Sequence, residues 1–485
     1  MNFNFNVATV FIGLCLASLV FSQDHPQQSV TTTSRQPEMI RNDIEAYQDI
    51  ASKIIKAGRK GNDSYLKLQE LCDDIGNRLS GSESLEQAIR WAQESMKEDG
   101  QENVRAEKVT VRKWVRGKES CELIEPRPFK LDMLGLGWSV GTPQAGITAE
   151  TIVVNDKAEL DSLSDEQVKG KIVVFNKAMP QFSEIDGSGY GETVTYRSNG
   201  ATWAAERGGV AALVRSVTAY SLASPHTGAM RYDANVKKIP AAAISVEAAT
   251  MLRRLQDRGI KCVVKLQMEA EDQGDAESAN VVAEIVGSEK PEEIVLIGGH
   301  IDSWDVGQGA QDDGAGCVAA MEAINILRKL NLQPKRTIRV VLWTNEENGL
   351  AGARSYAARH TQDDHVAGIE SDSGGFKPEG LSIDMQDEDK QEIAFEQLKS
   401  VLKLLAPIGA TRVKKGYSGA DVGQLKTLGT ACMGLNVDGR LYFNTHHTWA
   451  DTVDKVRPKE LTDCAITLAV AAYVIADMPN RLGEK

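Results

Sequence analysis

The chain is short of basic charge and of long apolar runs, and each shortage excludes a class of partner. Its 485 residues carry 55 Lys and Arg side chains against 68 Asp and Glu, a formal net charge of −13. Nucleic acids and anionic membrane surfaces attract basic patches, so neither is expected as a main partner. Beyond the N-terminal segment no stretch reaches the ~20 apolar residues of a membrane-spanning helix, so no membrane span is predicted.

Cysteine and glycosylation sites are also scarce. Seven cysteines are scattered along the chain without a Cys-x-x-Cys pair, which excludes a zinc knuckle. Cys15 lies in the N-terminal segment, and the remaining cysteines allow one or more disulfides in an oxidising compartment without fixing their pairing. The one Asn-x-Ser/Thr sequon begins at Asn62 and is typical of a glycosylated surface loop.

The N-terminal segment carries the one long apolar run. The stretch from Val7 to Phe21 is uncharged and mostly apolar, and Ser22 and a polar stretch follow. Its length and flanks favour a cleaved secretory signal peptide over 1–22, followed by a polar leader over 23–40, rather than a membrane anchor. The sequence therefore predicts a protein that is secreted to the extracellular space or delivered to the lysosome.

The rest of the chain changes in character twice. Residues 41–134 combine helical and strand patterns, 135–272 contain short strands broken by Gly and Pro, and 273–485 alternate strands with helices. A chain of 485 residues usually forms more than one domain. We therefore predict a main domain built from 41–134 and 273–485, with 135–272 as a β-rich insert.

The last part has the pattern of a parallel α/β sheet. The stretches EEIVLIGGH and TIRVVLWTNEE resemble buried strands, and the helical stretch between them places its apolar residues, from Val318 to Leu327, on one face. This order predicts a βαβ unit and a sheet that is at least partly parallel. HVAGIESD and TACMGLNVD are further predicted strands, and 390–405 and 458–476 are predicted helices. Earlier in the chain, SLEQAIRWAQESMKED predicts a helix that Gly100 ends.

Side chains with metal-binding chemistry follow several of these strands. His300 and Asp302 come after EEIVLIGG, Glu346 and Glu347 after TIRVVLW, and Asp372 after HVAGIE. In open α/β sheets, sites form outside the carboxyl ends of the strands. These side chains are therefore expected at one rim of the sheet.

Two further pairs are expected at the same rim. Asp312 and Asp313 begin the helix after the first strand, and His446 and His447 follow TACMGLNVD through a loop. Each pair alone has an ordinary explanation, such as a helix N-cap for the aspartates. Together, histidines and carboxylates suit zinc, and this many ligands fit two metal ions about 3.5–4 Å apart that share a carboxylate. The other histidines lack such a context and are interpreted as surface or structural: His25, His226, His360 and His365.

The motifs GGHIDS…DDGAG, NEENGLAGA, ESDSG and HHTWADT resemble those of the dizinc exopeptidase family. The likeness covers nearly the whole chain after the N-terminal segment, and 135–272 is similar to the protease-associated insert of that family. The resemblance implies an α/β fold: a mixed, largely parallel central sheet with helices on both faces, plus the insert. It also implies a homodimer.

The resemblance implies a role for each motif residue. His300 and Asp372 would bind one zinc, Glu347 and His447 the other, and Asp312 would bridge both. Glu346 would be the general base, and Asp302 would hydrogen-bond His300 and fix its tautomer. Between the adjacent histidines, the family places its ligand directly before the Thr of the HTxxDT pattern, which selects His447. A cis peptide is expected between Asp312 and Asp313.

The implied function is that of a secreted zinc exopeptidase that hydrolyses small peptides, in the first place a carboxypeptidase or dipeptidase. Two Zn²⁺ ions would lower the pKa of water toward ~7, and Glu346 would take its proton and pass it to the leaving amine. An aminopeptidase of the same family is the alternative within this class. A single-zinc glutaminyl cyclase and a binding protein without catalysis are further alternatives, and the full set of ligands argues against both.

Overall fold

The computed structural model describes residues 44–61, 63–184 and 187–484. The predicted signal peptide over 1–22, the polar leader over 23–40 and the sequon asparagine at position 62 lie outside these residues. Within them, no helix is both long enough and apolar enough to cross a membrane.

The strands form two sheets of eight strands each. In chain order the strands are β1 Glu102–Val115, β2 Glu119–Glu125, β3 Phe129–Lys130, β4 Met133–Gly135, β5 Ile147–Val154, β6 Ile172–Phe175, β7 Ala211–Arg215, β8 Ala241–Ile244, β9 Val263–Met268, β10 Glu271–Ile285, β11 Lys290–His300, β12 Arg336–Trp343, β13 Asp364–Glu370, β14 Pro378–Asp384, β15 Arg412–Lys415 and β16 Ala431–Val437.

The central sheet has the order β1-β10-β12-β11-β13-β16-β14-β15. Its middle strands β12, β11, β13 and β16 are mutually parallel. Strands β1 and β10 pair antiparallel with their neighbours, and β14 pairs antiparallel with β16 and parallel with β15. The second sheet has the order β3-β2-β9-β5-β6-β7-β8-β4 and is also mixed. The predicted fold class, a mixed α/β sheet with a second sheet beside it, is confirmed.

Helices surround both sheets. The α-helices are α1 Gln48–Gly58, α2 Asp63–Gln69, α3 Glu83–Glu98, α4 Lys157–Ser162, α5 Asp165–Val168, α6 Tyr190–Glu206, α7 Val246–Asp257, α8 Ala315–Lys329, α9 Ala351–Arg359, α10 Glu388–Leu402, α11 Tyr442–Thr445 and α12 Pro458–Asp477. A single turn of π-helix spans Glu70–Ile75, and 3₁₀ turns span Lys403–Leu405, Val422–Leu428, Gly439–Leu441 and Val453–Lys455. Ala310–Gly314 forms an irregular turn in which Asp312 and Asp313 have non-helical backbone angles.

The central sheet is buried on both faces because its strands are apolar at consecutive positions. On β11, Val295 and Ile297 pack into the larger core with Ile324 of α8, whereas Leu296 packs on the opposite face with Tyr356 of α9. Helix α12 contacts α8, α1 and β11, which explains why it is apolar on all sides rather than on one stripe. The predicted βαβ unit is confirmed as β11, α8 and β12, with the two strands parallel.

The second sheet takes strands β2 to β9, from Glu119 to Met268. Two long helices, α6 and α7, accompany it, although the sequence pattern there indicated only short strands. The predicted insert boundaries at 135 and 272 stay a prediction. We refer to strands β2–β9 with α4–α7 as the second lobe.

The six cysteines within the described residues are all buried free thiols. They lie in different elements of both sheets and their helices: Cys72, Cys121, Cys262, Cys317, Cys432 and Cys464. The disulfides that the sequence allowed are therefore absent among the described residues.

A buried ion cluster fastens the end of α12 to the central sheet. Arg336, at the start of β12, is 1% exposed and donates to the main-chain carbonyls of Met478 (2.6 Å) and Pro479 (3.1 Å). Its Nε–H donates to Glu293 on β11, which also accepts from Arg481 at 2.9 Å. Burial would raise the pKa of Glu293, but the hydrogen bonds from the two arginines outweigh burial and lower it to about 2.

We expect Glu293→Gln to lower the free energy of unfolding by about 3 kcal/mol at pH 7, because it leaves Arg336 buried without a carboxylate. The pKa of Glu293 is lower in the folded protein than its unfolded value of about 4.3, so its ionised carboxylate stabilises the fold above that pH. This stabilisation is lost as the pH falls toward 2 and the carboxylate is protonated. Urea denaturation of both proteins at several pH values measures this. The difference should be full at pH 6–7 and about half as large near pH 3.

Glu277→Gln is the matched control. Glu277 lies on the surface, where it faces Lys108 at 3.7 Å and both side chains are more than four-fifths exposed. Its loss should change the free energy of unfolding by less than about 0.5 kcal/mol. Equal effects of the two substitutions would show that the buried cluster contributes no more to the free energy of unfolding than a surface ion pair.

Candidate active site

The carboxyl ends of three parallel strands converge on one rim. His300 is the last residue of β11 and lies in register with Trp343, the last residue of β12. Glu347 follows β12 through a tight turn, and Asp372 lies two residues after β13. The parallel register thus brings an imidazole and two carboxylates from distant parts of the chain to the same place.

Asp312 stands at the centre of this rim. It lies in the irregular turn before α8, with a non-helical backbone, and is buried. Its Oδ1 is 3.3 Å from Nε2 of His300, and its Oδ2 is 3.1 Å from Nε2 of His447. Each carboxylate oxygen therefore faces a different histidine.

Asp312 contacts the histidine of each of two histidine–carboxylate pairs, which we call the ligand groups. On one side, Nε2 of His300 is 3.3 Å from Oδ1 of Asp372. On the other side, Nε2 of His447 is 3.0 Å from Oε2 of Glu347. The atoms of His300, Asp312 and Glu347 also lie within 4.8 Å of one another. The peptide between Asp312 and Asp313 is cis, as expected.

The adjacent histidines differ in their contacts. Their rings stack, with 3.5 Å between the centroids. Nε2 of His446 is 3.7 Å from Oδ2 of Asp312, whereas Nε2 of His447 is 3.1 Å from the same oxygen. His447 also has a positive φ of 61°. Its Nδ1–H donates to the main-chain carbonyl of Thr227 in the second lobe (3.2 Å). That hydrogen bond orients Nε2 toward the carboxylates.

Asp302 contacts His300 through its main chain rather than its carboxylate. The Nδ1–H of His300 donates to the Asp302 carbonyl at 3.0 Å, whereas the nearer carboxylate oxygen is 3.7 Å away. That carboxylate instead accepts from the main-chain N–H of Glu346 (3.0 Å) and from the hydroxyl of Ser80 (3.3 Å). Asp302 therefore links the orientation of His300 to the position of Glu346.

Glu346 and Glu347 are neighbours with different surroundings. Both line an open cavity of about 510 Å³. Glu347 is buried against His447, whereas Glu346 is half-buried and has no ion-pair contact with either histidine. Burial raises the pKa of Glu346 well above its usual range; His300 opposes this shift, and the nearby carboxylates of Asp372 and Glu347 add to it. A carboxyl group with a raised pKa suits proton transfer near neutral pH.

The donor atoms of this rim fit a bound cation. Three of them are buried without a hydrogen-bond partner among the described residues: Nε2 of His300, Oδ2 of Asp312 and Oε1 of Glu347. Burial would lower the pKa of His447, but Glu347 and Asp312 raise it to about 9. The carboxylates thus hold a proton on the imidazole, and a metal ion takes the place of such protons when it binds.

Several residues that support the site were not found by sequence reasoning. The indole N–H of Trp304 donates to Oε2 of Glu347 at 2.6 Å. The Asp451 carboxylate accepts from the main-chain N–H of Gln311 (2.8 Å) and of Asp312 (3.2 Å). Trp304 directly follows GGHIDS, and Asp451 lies inside HHTWADT. Their closeness in sequence to the predicted ligands was a usable signal. Arg78 carried no such signal, because it lies more than 200 residues away from the loop that it contacts.

The remaining histidines lie outside the ligand groups. His360 and His365 belong to a separate polar cluster, in which His360 contacts Glu107 (2.9 Å) and His365 contacts the Tyr356 hydroxyl (2.9 Å). His226 is buried, and burial lowers its pKa to about 3. None of the three belongs to a group of described residues that could hold a metal ion, so their interpretation as surface or structural residues stays a prediction. His25 lies outside the described residues.

A mixed α/β sheet whose strand ends gather histidines and carboxylates around one shared aspartate defines a metal-dependent hydrolase. The model of peptidase family M28 matches residues 280–472. Carboxypeptidase Q of Xenopus laevis is 45% identical over 93% of this chain and 94% of its own length. The chain therefore belongs to peptidase family M28, which confirms the predicted family and, with the buried donor groups, the predicted enzyme class, a metallopeptidase.

Solved structures show the same fold. An M28 peptidase precursor from Shewanella amazonensis SB2B is 34% identical, with a TM-score of 0.84 over 90% of this chain and 98% of its own. An aminopeptidase from Aneurinibacillus sp. strain AM-1 is 20% identical, with a TM-score of 0.62 over 90% of this chain and 98% of its own. The second likeness extends to the fold alone.

We expect Trp304→Phe to weaken zinc binding about 10- to 100-fold, because it removes the hydrogen bond that orients Glu347 while keeping an aromatic ring in place. Competition against a chelator measures the affinity. Trp343→Phe is the matched control, since Trp343 is also fully buried but its indole N–H has no hydrogen-bond partner among the described residues. Equal losses in both variants would assign the effect to lost volume rather than to the hydrogen bond.

Proposed function

We propose that the protein is a zinc-dependent exopeptidase that binds two Zn²⁺ ions per chain and hydrolyses small peptides. The observation that carries this proposal is the arrangement around Asp312. His300 faces one of its oxygens and also contacts Asp372, and His447 faces the other and also contacts Glu347. One aspartate shared between two ligand groups suits a pair of metal ions with a bridging carboxylate.

The donor set favours zinc among the common metals. Imidazole nitrogens and carboxylate oxygens are ligands that zinc accepts, and the site contains no thiolate within the ligand groups. Bound in pairs, zinc ions would lower the pKa of water toward about 7 and polarise a peptide carbonyl.

The protein's own side chains would supply the proton transfers. Glu346 lines the cavity and touches neither histidine of the ligand groups at ion-pair distance, so its carboxylate is available to the substrate. It would accept a proton from the attacking water and deliver it to the leaving amine. Asp302 would fix both the His300 ring and the Glu346 main chain through the hydrogen bonds described above.

We favour a carboxypeptidase or dipeptidase over an aminopeptidase. Relatives named carboxypeptidase Q match over nine-tenths of the chain at 42–45% identity, whereas the aminopeptidase of similar fold is only 20% identical. Dipeptides with one terminus blocked at a time test this choice. Hydrolysis that survives an N-terminal acetyl group and fails with a C-terminal amide supports the carboxypeptidase, and the reverse pattern supports the aminopeptidase. Secretion and a homodimer stay predictions.

Metal content should be close to two zinc ions per chain in dialysed, active protein. Elemental analysis, with protein concentration measured independently, gives this ratio. A stable ratio near one at full activity would contradict the bridging role of Asp312 and would favour a single-metal enzyme.

Glu346→Gln and Glu347→Gln should have different effects, because the two side chains have different surroundings. We expect Glu346→Gln to keep two zinc ions and to lose roughly 10²–10⁴-fold in turnover, the usual contribution of a positioned proton carrier. We expect Glu347→Gln to bind one zinc more weakly, so that added zinc restores part of its activity. Loss of metal in the first variant and retention in the second would reverse the two roles.

A further inference from the structure

The chain crosses from the central sheet to the second lobe at Arg116. This residue lies between β1 and β2, and it is 8% exposed. The return crossing, between β9 and β10, runs beside the first one. There the N–H of Glu269 donates to the carbonyl of Lys118 (3.0 Å), and Oε2 of Glu269 accepts the N–H of Lys118 (3.0 Å). The two connections between the lobes are thus fastened together at one place, beside a buried arginine.

The guanidinium of Arg116 contacts both lobes at once. On the side of the central sheet, its Nε–H and Nη2–H donate to the two carboxylate oxygens of Asp305 at 2.8 and 2.6 Å. On the side of the second lobe, Nη1–H donates to the main-chain carbonyl of Gly135 and Nη2–H to the hydroxyl of Thr227 (3.3 Å). A second carboxylate, that of Glu119, is 3.7 Å away. Paired hydrogen bonds of a guanidinium fix orientation as well as distance, so Arg116 defines how the lobes meet here.

The contact with Asp305 leads to Glu347. Asp305 directly follows Trp304, whose indole N–H donates to Oε2 of Glu347 at 2.6 Å. The indole also lies against the main chain of Gly137 in the second lobe, where an added Cβ would overlap the ring. Trp304 is therefore held from both lobes. A guanidinium that fixes Asp305 also fixes the neighbouring indole that orients the carboxylate.

The contact with Thr227 leads to His447. The buried hydroxyl of Thr227 accepts from Arg116 and donates to the carbonyl of Gly135 (2.7 Å). The main chain of the same threonine makes two hydrogen bonds with His447, one to its Nδ1–H (3.2 Å) and one to its carbonyl (3.0 Å). One threonine thus transmits the position of the second lobe to the imidazole.

The other ligand group is held by the central sheet and its own loop. His300 is the last residue of β11, its main-chain N–H donates to Asp313 (3.1 Å) and its Nδ1–H to the carbonyl of Asp302 (3.0 Å). Asp372 follows β13 of the same sheet. Loss of the contact between the lobes should therefore disturb the ligand group of His447 and spare the ligand group of His300.

We propose that Arg116 is a positioning residue for the ligand group of His447 and Glu347. It holds the second lobe against the loop after β11 and thereby orients the imidazole and the carboxylate of that group toward each other. This inference rests on the proposed two-zinc function and deepens it, since it assigns the geometry of one metal position to the docking of the second lobe.

Zinc affinity separates positioning from general stability. We expect Arg116→Met to bind one zinc ion like the wild type and the other about 10- to 100-fold more weakly, the usual effect of losing a group that orients a metal ligand. Arg116→Lys should recover part of the loss, because it keeps the charge but not the paired donors. Asp305→Asn, which keeps the shape of the partner, should also weaken one zinc ion, and it serves where the methionine variant does not fold. Competition against chelators of graded affinity, with zinc counted by elemental analysis, measures these effects.

Arg339→Met is the matched control. Arg339 is also 8% exposed and also pairs with carboxylates, those of Glu284 (2.7 Å) and Asp363 (2.8 Å), but it lies within β12 rather than at the rim. Removal of either buried guanidinium leaves carboxylates unpaired and should lower the thermal unfolding midpoint by a similar amount. Only Arg116→Met should lose zinc affinity.

Hydrogen exchange of the metal-free protein gives a readout that needs no zinc. In Arg116→Met we expect faster exchange in peptides that contain Thr227, because its N–H donates to His447 across a contact that the guanidinium no longer holds. Peptides from β11 and β13 should exchange as in the wild type. Mass spectrometry of proteolytic fragments locates the change.

Four results would overturn the inference. They are equal weakening of both zinc ions in Arg116→Met, wild-type affinity for both, the same zinc loss in Arg339→Met, and unchanged exchange at Thr227. A wild-type protein that binds a single zinc ion at full activity would instead refute the proposed two-zinc function. The exchange measurement on metal-free protein would still decide whether Arg116 holds the segment that contacts His447, so the two failures are distinguishable.

Discussion

The fixed orientation of Asp312 is the constraint on which the site depends. Its two oxygens face different histidines, so groups outside the ligand set must hold the side chain in place. The Asp451 carboxylate accepts the main-chain N–H of Asp312 and of the residue before it. The buried guanidinium of Arg78 donates to three main-chain carbonyls along the loop between β11 and α8. The loop that carries Asp312 is thus fixed by two buried polar side chains from opposite ends of the chain.

The second aspartate of the pair connects the ligands to the sheet. Asp313 accepts the main-chain N–H of His300 (3.1 Å) and of Gly316 in the first turn of α8 (3.0 Å), so it ties the end of β11 to the start of the helix. Added Cβ atoms at Gly299 and Gly316 would lie 2.3 Å and 2.4 Å from its carboxylate. The glycines in GGH and DDGAG are therefore required by this close approach. Burial raises the pKa of Asp313 well above its usual range.

The sequence predicts the structure best where burial requires a continuous run of apolar residues. The strands β11, β12 and β13 are buried on both faces, so their apolar runs are continuous and their ends are visible from the first polar residues. The order of those ends is enough to predict that His300, Glu347 and Asp372 share one rim. Helix α6 was not predicted, because YGETVTYRSNGATWAAE contains two glycines and several β-branched residues and has no apolar stripe.

Long-range partners could not be predicted for a different reason. The contacts of Trp304 with Glu347, of Asp451 with Asp312 and of Arg78 with the loop join segments that are tens to hundreds of residues apart. No local pattern encodes such a pairing, since each partner is also plausible as an ordinary buried or surface residue. The same limit applies to Asp302, which was predicted to hydrogen-bond His300. The contact is made by the main-chain carbonyl of Asp302, because its carboxylate accepts from Glu346 and Ser80 instead.

The second lobe takes part in the site itself. The carbonyl of Thr227 accepts the Nδ1–H of His447 (3.2 Å), and the N–H of Thr227 donates back to the carbonyl of the same histidine (3.0 Å). Both hydrogen bonds come from the lobe that also supplies Arg197. The carbonyl of Thr227 that accepts from His447 also accepts from the guanidinium of Arg197. A shift of this lobe would therefore disturb the hydrogen bonds that hold His447, so the geometry of the rim depends on a main-chain segment of the second lobe.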